Sequence, residues 1–196
     1  MAVTRERLMQ GMSFDEYIAQ MTKNQERFDQ TYQNLNIDPQ AIEQIKILPQ
    51  SLDVLVIAED WCGDVINNLP ILGKLAKESG KLNLHVFLRD QHEDLINQYL
   101  KEGKFKSIPV FVFFDEQMRE LGRFIERPDA VTQLNEESRQ QVLAQHPKYN
   151  KSVDELSEAD RAEFQRVLTE ARAKNLPKAQ KIVVQNLCAL VSGRAA

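Results

Sequence analysis

The amino-terminal part of the chain repeats apolar side chains at helical spacing. Phe14, Tyr17, Ile18 and Met21 stand at i, i+3, i+4 and i+7, and Phe28, Tyr32 and Leu35 extend the stripe. Ser13-Phe14-Asp15-Glu16 has capping-box spacing, with a hydroxyl to cap the first turn and a glutamate to reach back. Asp38-Pro39 reads as N-cap and first helical position of a short helix through Ile42 and Ile45, stopping before Pro49.

The pattern changes type at Leu52. Leu52 to Ala58 is a nearly unbroken apolar, β-branched run, as expected of a strand covered on both faces. Val65 to Lys77 returns to helical spacing, with Pro70 inside as a kink and Gly80 as its end. Leu82 to Leu88 alternates as a second strand, Glu93 to Lys101 reads as a short helix, and Pro109 to Phe114 is a third strand. Glu120 to Ile125 is a fourth, joined to the third by a turn around Asp115-Glu116-Gln117. The order β-α-β-α-β-β implies parallel pairing across helical crossovers and an antiparallel hairpin at the end. A mixed four-stranded sheet with helices on both faces follows.

Beyond Pro128 the strand signals stop. Ala130 to Gln145 is helical but rather polar, and Pro147 to Asp154 reads as a loop. Ser157 caps a helix carrying Phe164, Val167, Leu168 and Ala171, and Pro177 begins another with Val183, Leu187, Leu190 and Val191 on one face. Those two stripes are expected to pack on each other, or also on the amino-terminal helix, as a helical appendage. The organisation expected is a helical segment over 1–50, an α/β domain over 51–146 and a helical extension over 147–196.

Composition narrows the class. The 196 residues are 42% hydrophobic and 28% charged with net charge −4, a poor match for nucleic acid, which rewards clustered Lys and Arg. Charges every few residues over Met1 to Gln20 speak against a signal peptide, and no apolar run approaches the roughly 20 residues of a membrane helix. The expectation is a soluble, cytoplasmic protein without nucleic-acid or membrane partners. Two cysteines are too few for a disulfide scaffold, and His85, His92 and His146 show no ligand spacing, so neither a metal nor a cofactor is expected.

Chemistry concentrates in Glu59-Asp60-Trp61-Cys62-Gly63-Asp64-Val65, where the first strand ends and its helix begins. A cysteine at a helix N-terminus faces free amide N–H groups and the positive dipole end, which favour thiolate. Glu59, Asp60 and Asp64 push the other way, and Lys104 and Lys106 stand near enough in sequence to Pro109 to join the rim. Cys188, among valines and leucines, reads as a small buried hydrophobe in preference to a resolving thiol.

Trp61-Cys62-Gly63 resembles the start of the thioredoxin family's Trp-Cys-Gly-Pro-Cys motif. Pro70, eight residues after Cys62, stands where that family's active-site helix has its kinking proline, and Ser107-Ile108-Pro109 before Val110 to Phe114 resembles its Ile-Pro step. The resemblance, over about Leu52 to Gln145, implies a thioredoxin-like sheet flanked by helices, with amino- and carboxyl-terminal helical extensions. It also implies a cis Pro109 against the sulfur. The departures are specific: Val65 replaces the family's second cysteine, Asp64 its proline, and Val56 its buried aspartate. The Cys-X-X-Cys dithiol cycle is therefore excluded at this site. What the resemblance leaves is a monothiol oxidoreductase: Cys62 forms a mixed disulfide with a protein disulfide or low-molecular-weight thiol. Trp61 and Pro109 position the partner, the Gly63 and Asp64 amides stabilise thiolate, and Asp64 or Asp60 assists proton transfer. The alternative is a redox-inactive binding module that holds a partner protein or self-associates through its amphipathic helices.

Overall fold

The computed structural model describes residues 3–150 and 155–192. Its chain begins with α1 (Arg5–Leu8), capped by the Thr4 side chain, and then an isolated bridge sets Met12 antiparallel to Val86. In α2 (Phe14–Gln20) both halves of the capping box form: the Ser13 hydroxyl accepts from the Glu16 N–H, and the Glu16 carboxylate accepts from the Ser13 N–H at 2.7 Å. The stripe that reads as continuous from Phe14 to Leu35 is broken before α3 (Gln25–Asn34), with Asn24 in the left-handed region at φ 55°. Asp60 is the cause, because its carboxylate takes the N–H groups of Thr22 and Lys23 and so holds the chain out of helix. The two helices still pair their apolar faces, with the Phe28 ring 6.0 Å from Phe14 and 6.3 Å from Tyr17. Next comes α4 (Pro39–Lys46), capped by Asp38.

All seven residues of β1 (Leu52–Ala58) are buried. It leads into α5 (Gly63–Ser79), which contains Pro70 and ends on Gly80 at φ 65°, a conformation that costs glycine little. β2 (Leu82–Leu88) pairs parallel to β1, from Leu52 opposite Leu82 to Ala58 opposite Leu88. The helix expected over Glu93 to Lys101 is shorter, since α6 spans Glu93–Ile96 only. The chain then tightens into a Lys101–Phe105 bridge, with Glu102 and Gly103 both at positive φ.

β3 (Val110–Phe114) and β4 (Glu120–Ile125) complete the sheet in the order β2-β1-β3-β4. β3 runs antiparallel to β1, against the parallel expectation for a strand reached through a helix. The connection from Leu88 to Val110 holds only the short α6 and a tight Lys101–Phe105 turn, with no long crossover helix packed across the sheet, and the chain re-enters β3 from the carboxyl end of β1. The β3–β4 pairing is antiparallel, and its turn is held by Asp115, which accepts the N–H groups of Gln117 and Arg119 at 2.9 Å each.

The described residues form two compact units, one within 3–128 and 183–192 and one within 129–150 and 155–182. In the second, α7 (Asp129–Gln145), a turn at Pro147–Tyr149 and α8 (Glu158–Lys174) enclose Val142, Leu143, Tyr149 and Leu156, with Phe164, Val167 and Ala171 of α8 packed on them. The stripe of α8 thus packs on α7 and not on that of α9 as the sequence suggests, because α7 offers Val142 and Leu143 within the same unit. The loop expected to Asp154 begins as that turn, and residues 151–154 lie outside the described residues. α9 (Leu176–Val191) belongs to the sheet unit from Val183 onward. There Leu190 lies so close to Gly122 of β4 that a Cβ would come within 2.9 Å of it. Among the described residues no helix is long and apolar enough to cross a membrane.

Candidate functional site

β1 ends at Ala58, and four residues, Glu59 to Cys62, turn the chain into α5. Cys62 is the N-cap, its N–H bonded to the Glu59 carbonyl at 3.3 Å. Its thiol donates to the Ile108 carbonyl at 3.5 Å, and the Ile108–Pro109 peptide is cis. The strand-to-helix turn and the loop entering β3 therefore meet at the sulfur. Gly63 follows with open space where a Cβ would stand, so the helix terminus is uncovered beside the thiol. Trp61 is 42% exposed and carries the Arg89 guanidinium 4.7 Å over its ring.

A cavity of about 380 Å³ opens here, lined by Cys62, Trp61, Phe105 and Ile108 and by the charged Asp64 and Glu126. Arg89 and Lys106 also reach it, whereas Lys104 sits exposed in the 101–105 turn. Phe105 is 56% exposed, so two aromatic faces flank the thiol in solvent.

Each acid that the sequence sets around Cys62 has a partner. Glu59 is buried and accepts the Asp90 N–H at 2.8 Å, tying the end of β1 to the residues after β2; burial and the Asp90 and Asp60 charges push its pKa up against that bond. Asp60 accepts from the Thr22 N–H at 2.7 Å, the Thr22 hydroxyl at 3.1 Å and the Lys23 N–H at 2.9 Å, while its carbonyl accepts from the Asn24 amide. Burial alone would raise Asp60, but these bonds hold it below the ordinary carboxylate range. Asp64 receives two N–H groups from one edge of the Arg127 guanidinium, Nε at 2.9 Å and Nη2.

Arg127 also bonds Glu126 at 2.7 Å, and Glu126 takes Lys101 at 2.7 Å. The Glu126 backbone stands at φ 63°, its N–H donating to the Pro109 carbonyl at 2.8 Å and its carbonyl accepting from Asn68 at 3.0 Å. A non-glycine residue held at positive φ beside a thiol marks local strain that the surroundings sustain.

These surroundings raise the Cys62 thiol above the usual cysteine value. Burial is the largest cause; the N–H groups of Val65 and Asp64 pull it down, and the Asp64 and Glu126 carboxylates push it back up. The helix terminus acts as the sequence implies, yet desolvation outweighs it. Val65 and Val56, where the family has its second thiol and its acid, are both fully buried.

Cys188 is buried, with burial raising its pKa, and its thiol donates to the Ala41 carbonyl of α4 at 3.6 Å. Both cysteines are free. Among the described residues no group of three or more His, Cys, Asp or Glu could hold a metal ion. His85 bonds to Asp53 and His92 to Arg7.

Sequence reasoning passed over Glu126, Arg127, Arg89 and Phe105. The signal for the first two was faint: two charged residues directly after β4 and before Pro128, where a strand end meets the crossover helix of a neighbouring strand. Phe105 lacked any periodic context.

Comparison with known proteins agrees with this architecture. A crystal structure of a protein of unknown function from Pseudomonas aeruginosa superposes with a TM-score of 0.68 at 21% identity, covering 98% of this chain and 99% of that one. An HIV epitope scaffold superposes with a TM-score of 0.67 at 20% identity, covering 98% of this chain and all (100%) of the other. No curated protein matches the chain. The family model described as Thioredoxin matches residues 11–141, from α2 through the whole sheet and into α7, and the chain belongs to that thioredoxin-like family.

Proposed function

We propose that this protein is a monothiol thiol–disulfide redox protein acting through Cys62. The observation that carries the reading is the placement of the sulfur: partly exposed, on the wall of a cavity, at the N-terminus of α5 and bonded to the Ile108 carbonyl beside the cis Pro109. The Cys62 thiolate attacks one sulfur of a partner disulfide, a Cys62–sulfur bond forms, and the other partner sulfur leaves as thiolate, taking up a proton. An outside thiol then attacks the mixed disulfide and restores Cys62. The partner is a protein disulfide or the disulfide form of a low-molecular-weight thiol, and a reducing cytoplasm suits two free cysteines.

The raised thiol pKa shapes the kinetics. Little thiolate is present at neutral pH, but each thiolate is intrinsically more nucleophilic, and Cys62 is a poor leaving group once bonded. Slow formation and a durable adduct follow, in contrast to rapid turnover.

The same protonated thiol favours a second reading, a redox-inactive thioredoxin-fold module that holds a protein partner in the cavity. Incubation with a small aromatic disulfide, followed by intact mass, separates the two. Wild type and Cys188→Ser should each gain one adduct that an added dithiol removes, and Cys62→Ser should gain none. Equal labelling of Cys62→Ser and wild type would overturn the redox reading.

A further inference from the structure

Building on Cys62 as the reacting thiol, we propose that Arg127 is its positioning residue, holding Asp64 in an ion pair and supplying the positive charge against which a thiolate at position 62 forms. Arg127 directly follows Glu126 at the end of β4, and Asp64 lies two residues past Cys62 in the first turn of α5. The guanidinium grips Asp64 through Nε at 2.9 Å and through Nη2, and Nη2 also meets Glu126 at 2.7 Å. Asp64, Glu126 and Cys62 line one cavity. One cation therefore bridges both of the carboxylates that act on the sulfur.

The other charged and titratable groups around the thiol have separate engagements. Glu59 and Asp60 on the preceding turn are bonded to Asp90 and to Thr22 and Lys23. Arg89 lies over Trp61 and pairs with Asp90, while Lys106 pairs with Glu93. Lys101 is bonded to the far side of the cluster at Glu126. Tyr17 of α2 is buried and held neutral by its burial and by the Asp60 and Glu59 charges. Of these cations Arg127 is the one fixed between Asp64 and Glu126, and a planar fork that grips two acids at once is a geometry lysine cannot reproduce.

The ion pair gives the proposal a sign test. Arg127→Gln and Asp64→Asn break the same salt bridge, but the first removes a positive charge near the sulfur and the second a negative one. A purely structural tie, when cut from either end, would loosen the turn and move Cys62 in one common direction. An electrostatic role moves it in opposite directions.

The experiment is the rate of Cys62 alkylation by iodoacetamide against pH, in a Cys188→Ser background so that one thiol is read. At about pH 8, Arg127→Gln should slow alkylation about threefold to tenfold and move the titration midpoint up. Asp64→Asn should speed alkylation and move the midpoint down, and Arg127→Lys should fall between wild type and Arg127→Gln. Shifts of the same sign in the two charge-removing variants, or no shift in either, would overturn the proposal. If Arg127→Gln does not fold, Arg127→Lys decides, since the point charge keeps the sign but loses the two-acid grip, and a midpoint identical to wild type is incompatible with the assignment. Alkylation needs no disulfide partner, so failure to form a mixed disulfide would count against the redox reading and leave this result standing.

Discussion

The two ends of β1 are both acidic, and the protein treats them in opposite ways. At the amino end Asp53 is 9% exposed and accepts from Arg5 at 2.7 Å, from Asn83 at 3.3 Å and from His85 at 3.2 Å. Burial pushes its pKa up, but these partners outweigh burial and hold it below the ordinary range. Arg5 also donates to the Glu116 carbonyl at 2.8 Å, so one carboxylate joins α1, β1, β2 and the β3–β4 turn. At the carboxyl end Glu59 is 8% exposed, yet its partner is the Asp90 N–H, and the charges of Asp90 and Asp60 stand beside it. Its pKa rises. A carboxylate bonded directly by cations serves as a clamp; Glu59, bonded only by a backbone N–H and with Arg89 only partly offsetting the Asp90 and Asp60 charges, has no such tie.

Cutting both ends tests that contrast most strongly. Asp53→Ala removes the carboxylate that Arg5, Asn83 and His85 share, and the expected loss is about 2–3 kcal/mol. Glu59→Gln keeps an acceptor for the Asp90 N–H, and its loss should stay below about 1 kcal/mol. Denaturant unfolding reads both, and equal losses would break the comparison.

An intermediate effect is expected at Asp60, which resembles Asp53 in having several donors but holds only the α2–α3 loop. Asp60→Ala should cost about 1–2 kcal/mol. Faster amide exchange should appear at Thr22 and Lys23, whose N–H groups lose their acceptor. Unchanged exchange there would mean that the loop is held by something other than this carboxylate.

The smallest effects lie in pH dependence, and their signs differ. The folded pKa of Asp53 is below its unfolded value, so its contribution to stability is present above the ordinary carboxylate range and lost as pH falls through the lowered value. The folded pKa of Glu59 is above its unfolded value, so its contribution is present at low pH and lost as pH rises through the raised value. Between acid and neutral pH, Asp53→Asn should lose ground against wild type and Glu59→Gln should gain it. Urea unfolding across that range measures both, and slopes of one sign at the two ends would refute the opposition.

Much of this scaffold is legible along the chain. β1, β2 and β4 occupy the residues their apolar patterns indicate, and the Ser13, Asp38 and Ser157 caps form, because each depends on side chains only a few positions apart. The turn bearing Trp61 and Cys62 is legible for the same reason. The break between α2 and α3 is not, since its cause is a carboxylate 37 or 38 positions away. The fate of the acids around Cys62 is equally hidden: nearness in sequence presents them as a common negative collar, and the fold gives each a separate partner.

Local periodicity and composition by themselves determined that this chain carries an α/β sheet with a single cysteine at a strand-to-helix turn and no second thiol at Val65. Tertiary structure alone decided the direction of β3, which enters the sheet from the carboxyl end of β1 after a connection without a long crossover helix. It also decided which charges meet the thiol. Asp64 and Arg127 are 63 positions apart, and Glu126 and Lys101 are 25 apart. Helix and strand preferences act over a few residues, but a charge acts over ångströms, and only the folded chain brings such distant positions to the sulfur.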